Sequence, residues 1–312
     1  MNALPVLLFV DDEERILRSL RMLFRGRAET LATTSGAQAV ELVRQRRVHA
    51  VVSDQRMPGM GGVEVLREVA RHSPATMRML LTGYADMDAV AASVNEGEVY
   101  RFLEKPWDGP ALVETVLEAA RIAADEFAAL DAGEPAAAVP PAADADAERD
   151  IAAAHVLVLD SEGGSAELVR RILPASIDTQ RAGTVEAALD ALAERDFAVL
   201  VTVLESETGD IVDAIKRLKR LRPSTLVIAI SPLRDSRLVI GLINEGQIFR
   251  FLLAPPGREL LRRCLIAAME RHAQLRSTPR LQRRHEVQPR SEPTIAGRLL
   301  DVWRRLKDAR VR

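Results

Sequence analysis

Short, almost wholly apolar runs recur along the chain, each followed by a stretch in which apolar residues return every three or four positions. VLLFV (6–10) is the first such run, and over 13–25 Ile16, Leu17, Leu20 and Leu23 fall on one helical face. A strand is predicted near 28–33, then a helix from Ser35 as N-cap through Arg46, a strand over 48–54 and a helix over 62–72. A strand over 77–82, a helix over 86–96, a strand over 99–104 and a helix over 109–127 complete five strand-helix units. Strands that are apolar throughout, alternating with helices of ten or more residues, predict a parallel sheet covered on both faces.

The order then repeats. Strands are predicted at 155–160, near 177–180, and at 197–203, 226–231 and 248–253, with helices at 164–173, 183–195, 209–221, 235–245 and 257–275 between and after them. Asp11 and Asp160, Thr82 and Ser231, Asn95 and Asn244, and Lys105 and Ala254 each stand 149 residues apart. A constant offset at four sites marks a tandem duplication. VNEGEVYRFLEKPWD (94–108) and INEGQIFRFLLAPPG (243–257) are its clearest trace.

Composition and charge set the boundaries. Residues 128–150 are rich in Ala, Pro and Asp and lack aromatic residues, so they bury too little apolar surface to fold and are expected to be a flexible linker. Residues 275–312 carry eleven Arg and Lys against four acids. Within them, Ile295, Leu299, Val302, Trp303 and Leu306 lie at helical spacing opposite arginines, a short amphipathic helix. The expected organisation is a first domain at 1–127, a linker at 128–153, a second domain at 154–275 and a basic, largely disordered tail at 276–312. At 47% hydrophobic and 28% charged residues the chain reads as a soluble globular protein. No apolar run approaches the ~20 residues of a membrane span. The start shows no targeting pattern, and a cytoplasmic protein is expected. The single cysteine, Cys264, excludes an intramolecular disulfide and reads as a small core residue.

Ligands of an open parallel sheet bind outside the carboxyl ends of its strands. There the first half places Asp11 and Asp12, Asp54, Thr82, and Glu104 with Lys105. Carboxylates gathered on one rim call for a cation, and all-oxygen ligands favour Mg²⁺. With Lys105 to neutralise charge and Thr82 to hydrogen-bond an oxygen, such a rim suits the acceptance of a phosphoryl group. Gly59, Gly61 and Gly62 follow a proline and read as a tight turn before a helix; no P-loop or dinucleotide fingerprint is present.

With DDE at 11–13, D-x-x-MPGMGG from 54, LTGYAD at 81–86 and KPW at 105–107, residues 5–127 resemble the receiver domain of two-component response regulators. The resemblance implies two flavodoxin-like (βα)5 domains with five-stranded parallel sheets, joined by the Ala/Pro-rich linker. It implies that Asp54 takes a phosphoryl group from a phosphohistidine on a sensor histidine kinase or a histidine phosphotransfer protein. Asp12 and Asp54, with the backbone carbonyl of Arg56, would ligate Mg²⁺, and Asp11 would hold a metal-bound water. Lys105, before a cis Pro106, would contact the phosphoryl group. Thr82 and Phe102 fall where the family has its switch residues. Beyond its own phosphorylation and dephosphorylation, the domain would not be an enzyme.

At the second rim Asp160 remains, but Ser161 replaces the second aspartate, Thr202 or Val203 stands at the acceptor position, and Ala254 replaces the lysine. Glu205 and Glu207 serve as displaced acceptors only if the strand slips in register. The second half is therefore expected to be a degenerate, receiver-like domain kept for its surface. In the family, the face of the fourth helix, fifth strand and fifth helix makes contacts between receivers, so a homodimer through that face is one expected partner. Asn95 and Asn244, Arg101 and Arg250, and Phe102 and Phe251 fit a shared contact geometry there, with Arg101 and Arg250 the favoured interface residues and the phenylalanines equally readable as core. The leading expectation is a response regulator signalling through a downstream protein. The alternatives are a phosphorelay intermediate and a DNA-binding regulator acting through the basic tail, although no helix-turn-helix is found.

Overall fold

The computed structural model describes residues 4–83, 99–133, 154–204, 209–232 and 236–278. Two five-stranded parallel sheets form, one from each half. The first takes β1 (Val6–Val10), β2 (Glu29–Thr33), β3 (Ala50–Asp54), β4 (Met77–Thr82) and β5 (Arg101–Glu104) in the order β2-β1-β3-β4-β5. The second takes β6 (His155–Leu159), β7 (Asp178–Ala182), β8 (Val199–Val203), β9 (Leu226–Ser231) and β10 (Arg250–Leu253) in the order β7-β6-β8-β9-β10. This is the same strand order, as a duplicated pattern of apolar runs requires. It is the flavodoxin-like order, with the crossover between the first and third strands that opens a site at their carboxyl ends.

In the first half the helices are α1 (Glu14–Leu23), α2 (Gly36–Gln45), α3 (Gly62–His72) and α4 (Gly109–Asp131). In the second they are α5 (Gly164–Ile172), α6 (Val185–Glu194), α7 (Gly209–Leu221), α8 (Ser236–Asn244) and α9 (Arg258–Ser277). Local chemistry starts several of them: the side chains of Ser35, Asp108 and Thr184 accept the backbone N–H of Gln38, Ala111 and Ala187. The helix expected over 86–96, the linker beyond 133, Asn95, Glu205, Glu207 and the amphipathic stretch 295–312 lie outside the described residues.

Two expected boundaries move. Helix α4 continues to Asp131, so the first residues assigned to the linker are helical. Alanine is the best helix former, and the run Ala128, Ala129, Leu130 extends the helix until Gly133 turns left-handed at φ 80°. A tertiary anchor holds this end, because Arg47 makes a two-pronged ion pair with Asp131 at 2.7 and 2.8 Å and lies over the Phe127 ring. The second half reverses the charges: Asp196, 149 residues after Arg47, pairs with Arg276 on α9 at 2.8 Å. That helix runs to Ser277, just past the boundary expected at 275.

Each sheet is apolar on both faces. Phe9, Leu20, Phe24, Val116 and Ala120 pack on one side of the first sheet, and Val158, Val169, Leu261 and Leu265 on the matching side of the second. The remaining two faces do not form separate cores. Leu80 and Phe102 of the first half share one continuous apolar cluster with Val239, Ile240, Ile243 and Phe251 of the second. Helix α8 lies along β5, which brings the halves together. Cys264 is buried, as a core residue should be. Among the described residues no helix is long and apolar enough to cross a membrane.

Candidate functional site

The strand ends of the first sheet deliver the expected side chains to one rim. Asp11 follows β1 and is 1% exposed; its Oδ1 accepts the N–H of Glu13 at 2.9 Å. Asp54 closes β3, and its Oδ2 accepts the N–H of Arg56 at 2.8 Å. Lys105 follows β5, held by its own N–H on the Thr82 carbonyl at 3.0 Å. From there its Nζ reaches 2.5 Å from Asp54 Oδ1 and 2.9 Å from Asp11 Oδ2. The ammonium therefore bridges both carboxylates, an arrangement that strand order alone does not disclose.

Electrostatics follow from this cluster. Burial lifts the Asp11 carboxyl above its ordinary value, and the Asp54 charge adds to the lift, more than the Lys105 ammonium and the Glu13 N–H pull it down. Burial pushes Lys105 down, but hydrogen bonds to Asp54 and Asp11 outweigh it and hold the ammonium protonated above the usual lysine range.

Thr82 ends β4, between β3 and β5, and is buried; its hydroxyl donates to the Gly83 carbonyl at 3.0 Å. Phe102, which the resemblance placed at a switch position, is 2% exposed and packs inward. The Lys105–Pro106 bond is cis, as the resemblance implied, and so is Ala254–Pro255. Gly59 is left-handed at φ 80°, which accounts for one of the glycines after Pro58. Gly62 has a different reason: a Cβ there would run into the Asp54 backbone carbonyl and come within 2.8 Å of Leu80 Cδ1. The start of α3 is thus pressed against the backbone of Asp54.

The expected metal ligands are not all gathered. Among the described residues no three His, Cys, Asp or Glu side chains come together to hold an ion. Asp11 and Asp54 converge on one ammonium, while Asp12 is exposed beyond them. Two convergent carboxylates fit a hard divalent cation in chemistry; such a cation would neutralise the same charges that Lys105 neutralises now.

The second rim settles the acceptor position. Asp54 pairs across the ladder with Leu81, and Val203 pairs with Ile230, 149 residues later in both cases. Val203, not Thr202, stands in place of Asp54, so no carboxylate ends this strand. Thr202 matches Ser53, and its buried hydroxyl has no hydrogen-bond partner.

Asp160 has acquired another task. Its carboxylate accepts the N–H of Glu162 at 3.1 Å, Ser165 at 2.7 Å and Ala166 at 3.2 Å, and so caps the start of α5. Burial raises its pKa, but the backbone N–H groups, Gly163 among them, win and hold the carboxyl below the ordinary range. Sequence reasoning did not single out Arg181, which donates to the backbone carbonyls of Asp160 at 2.9 Å and Ser161 at 2.5 Å. The signal was present: a charged residue in β7 where the first half has Ala32.

Arg101 and Arg250 share one geometry. Each lies over the ring before it, at 4.3 Å from Tyr100 and 3.9 Å from Phe249, and donates to that residue's carbonyl. Arg250 is buried over Phe249, although its charge suggested an exposed residue.

A five-stranded parallel sheet carrying two acids and a lysine at its carboxyl ends defines the class, an α/β receiver fold. Comparison with known proteins agrees. Residues 7–117 match the response regulator receiver domain. The hydrogenase transcriptional regulatory protein HoxA of Bradyrhizobium diazoefficiens is 37% identical over 122 residues, covering 39% of this chain and 25% of that protein. The DNA-binding transcriptional regulator NtrC of Escherichia coli K12 is 30% identical over 112 residues, covering 35% and 24%. The chain thus spans about a quarter of the length of these relatives. A crystal structure of the signal receiver domain of an HD domain-containing protein from Pseudomonas fluorescens Pf-5 is 34% identical, covers 41% of this chain and 94% of that one, and gives a TM-score of 0.39. Residues 7–117 are a response regulator receiver domain of a two-component system.

Proposed function

We propose that the chain is a cytoplasmic response regulator that accepts a phosphoryl group on Asp54 and signals through protein contacts. The observation that carries this reading is the bridge of Lys105 between Asp54 and Asp11, at 2.5 and 2.9 Å. In the proposed step a carboxylate oxygen of Asp54 attacks the phosphorus of a phosphohistidine on a sensor kinase or phosphotransfer protein. The P–N bond breaks, its electron pair stays on the imidazole, and an acyl phosphate forms. Lys105 moves from the carboxylate to the incoming oxygens and offsets their charge. Thr82 turns its hydroxyl from the Gly83 carbonyl toward the same oxygens. Asp11, Asp12, Asp54 and the Arg56 carbonyl would hold Mg²⁺, which supplies further charge neutralisation when bound.

Residues 154–275 are, on this reading, a degenerate receiver-like domain. It shares the strand order and the cis peptide but has Val203 for the acceptor and Ala254 for the lysine. Intact protein given acetyl phosphate and Mg²⁺ is expected to gain the mass of one phosphoryl group and no second. Asp54→Asn is expected to gain none, and a gain that survived the substitution would overturn the assignment.

The name of NtrC gives a specific reason to keep a DNA-binding output as the second reading. The basic segment 276–312 is where that output would reside. Salt-dependent DNA binding by the full chain, lost when the arginines of 298–312 are changed to glutamine, would favour it. A phosphorelay role differs in that label on Asp54 would pass on to a histidine phosphotransfer protein.

A further inference from the structure

β5 is the edge strand of the first sheet, and an edge strand presents unpaired backbone groups to any strand that can reach it. Leu80 and Phe102 face each other across the β4–β5 ladder, and the N–H of Lys105 turns inward onto the Thr82 carbonyl. Backbone groups of successive residues point to opposite sides, so the N–H and C=O of Phe102 point outward, away from β4. They are not left open. Asn244, the last residue of α8 in the other half, meets both: Phe102 N–H donates to Asn244 Oδ1 at 2.8 Å, and Asn244 Nδ2 donates to the Phe102 carbonyl at 2.8 Å.

One carboxamide thus does for Phe102 what a residue of a sixth strand would do. The side-chain chemistry is specific. Leucine at this position would leave both backbone groups unpaired, aspartate would lack the donor, and glutamine would carry the amide one methylene too far. The helix around it suits a position between two bodies. Val239, Ile240, Leu242 and Ile243 are all at most 3% exposed, so α8 is apolar on adjoining faces and covered on them. Ile240, Ile243 and Phe102 belong to the one apolar cluster that runs through both halves.

We propose that the β5 edge of the first domain is an intramolecular docking site, that α8 is its occupant, and that Asn244 sets the register between the two halves. A second copy of the chain is then shut out of this edge, because the N–H and C=O of Phe102 are used once. This goes beyond the phosphoacceptor reading and does not depend on it: the docking stands or falls on the backbone of β5.

Amide hydrogen exchange of the full-length protein tests it at a single group. The Phe102 N–H is expected to be protected in the unmodified protein, to the same degree at low and high protein concentration. In Asn244→Ala it is expected to exchange about tenfold faster or more, while the inward N–H of Leu103 is unchanged. Protection of Phe102 that rises with protein concentration would show that a second copy covers the edge, and would overturn the proposal. So would a Phe102 amide that exchanges freely in the unmodified protein, or one equally protected in Asn244→Ala. If Asn244→Ala does not fold, the concentration series on unmodified protein decides alone.

Discussion

The ammonium of Lys105 lies 2.5 Å from Oδ1 of Asp54 and shields that carboxylate from its buried neighbour Asp11. Lys105→Met would leave the two acids facing each other without a counter-charge. We expect a loss of about 1–3 kcal/mol in urea unfolding at neutral pH. The loss should shrink in acid, where the Asp11 carboxyl, raised by burial, takes up a proton. Equal stability of the two proteins at pH 7 would show that the bridge contributes nothing.

Gly62 matters because of what lies behind it. A methyl group there meets the carbonyl of Asp54, backbone that can retreat only by shifting the acceptor itself. Gly62→Ala is expected to cost on the order of 2 kcal/mol and to slow phosphorylation by acetyl phosphate, whereas Gly164→Ala, with open space around it, should do neither. Unaltered phosphorylation kinetics in Gly62→Ala would count against a positioning role for this contact.

The two halves solve one buried problem with different cations. Arg78 on β4 donates to the carbonyls of Thr76 at 2.6 Å and Pro74 at 3.3 Å; Lys219 on α7 donates to those of Thr225 at 2.8 Å and Pro223 at 3.2 Å. Both pairs of carbonyls are 149 residues apart. Burial pushes the Lys219 ammonium down to about 7 from 10.5. Between those values the unfolded chain holds the extra proton, so stability should rise with pH across that window, by a few kcal/mol at most. Lys219→Met should flatten the rise in thermal unfolding measured from pH 7 to 10. A profile of unchanged slope in the variant would exclude Lys219 as its source.

His49 predicts the opposite flank. Its Nδ1 accepts the N–H of Val6 at 3.0 Å, which requires a lone pair on that nitrogen. Burial, aided by the Arg47 charge, lowers its pKa from 6.5. The unfolded chain then protonates first, so this contribution is intact above pH 6.5 and is lost as pH falls below it. His49→Gln can keep an acceptor but cannot titrate, and its unfolding midpoint should be less sensitive to pH between 6.5 and 5. Parallel curves for the two proteins would rule out the histidine as the acid-sensitive group.

Much of the site was legible because its residues sit at strand ends, and strand ends follow from the alternation of apolar runs and helical spacing. Asp11, Asp54, Thr82 and Lys105 all arrive at the rim that the pattern predicted. Two features needed the ladder itself. The choice between Thr202 and Val203 turns on a one-residue register, which pairing with β9 fixes. The bridge from Lys105 to Asp11 turns on the reach of a four-carbon side chain across β5 and β1, which are not neighbours in the sheet.

Other residues gave no one-dimensional signal of their role. Asp160 looks in sequence like a surviving rim acid, yet its carboxylate turns onto the N–H groups of α5. Arg250 carries the charge of a surface residue and is buried over Phe249. The Ala-rich run after 127 has the composition of a linker and the propensity of a helix, and the Arg47 anchor favoured the helix.

By itself the sequence determined the repeated order of the elements and the chemistry offered at each rim, since these depend on periodicity and residue type along the chain. The tertiary structure decided which partners those residues take. A hydrogen bond such as that between Asn244 and Phe102 joins positions 142 residues apart, and its formation depends on how two sheets pack, a property that no local pattern encodes.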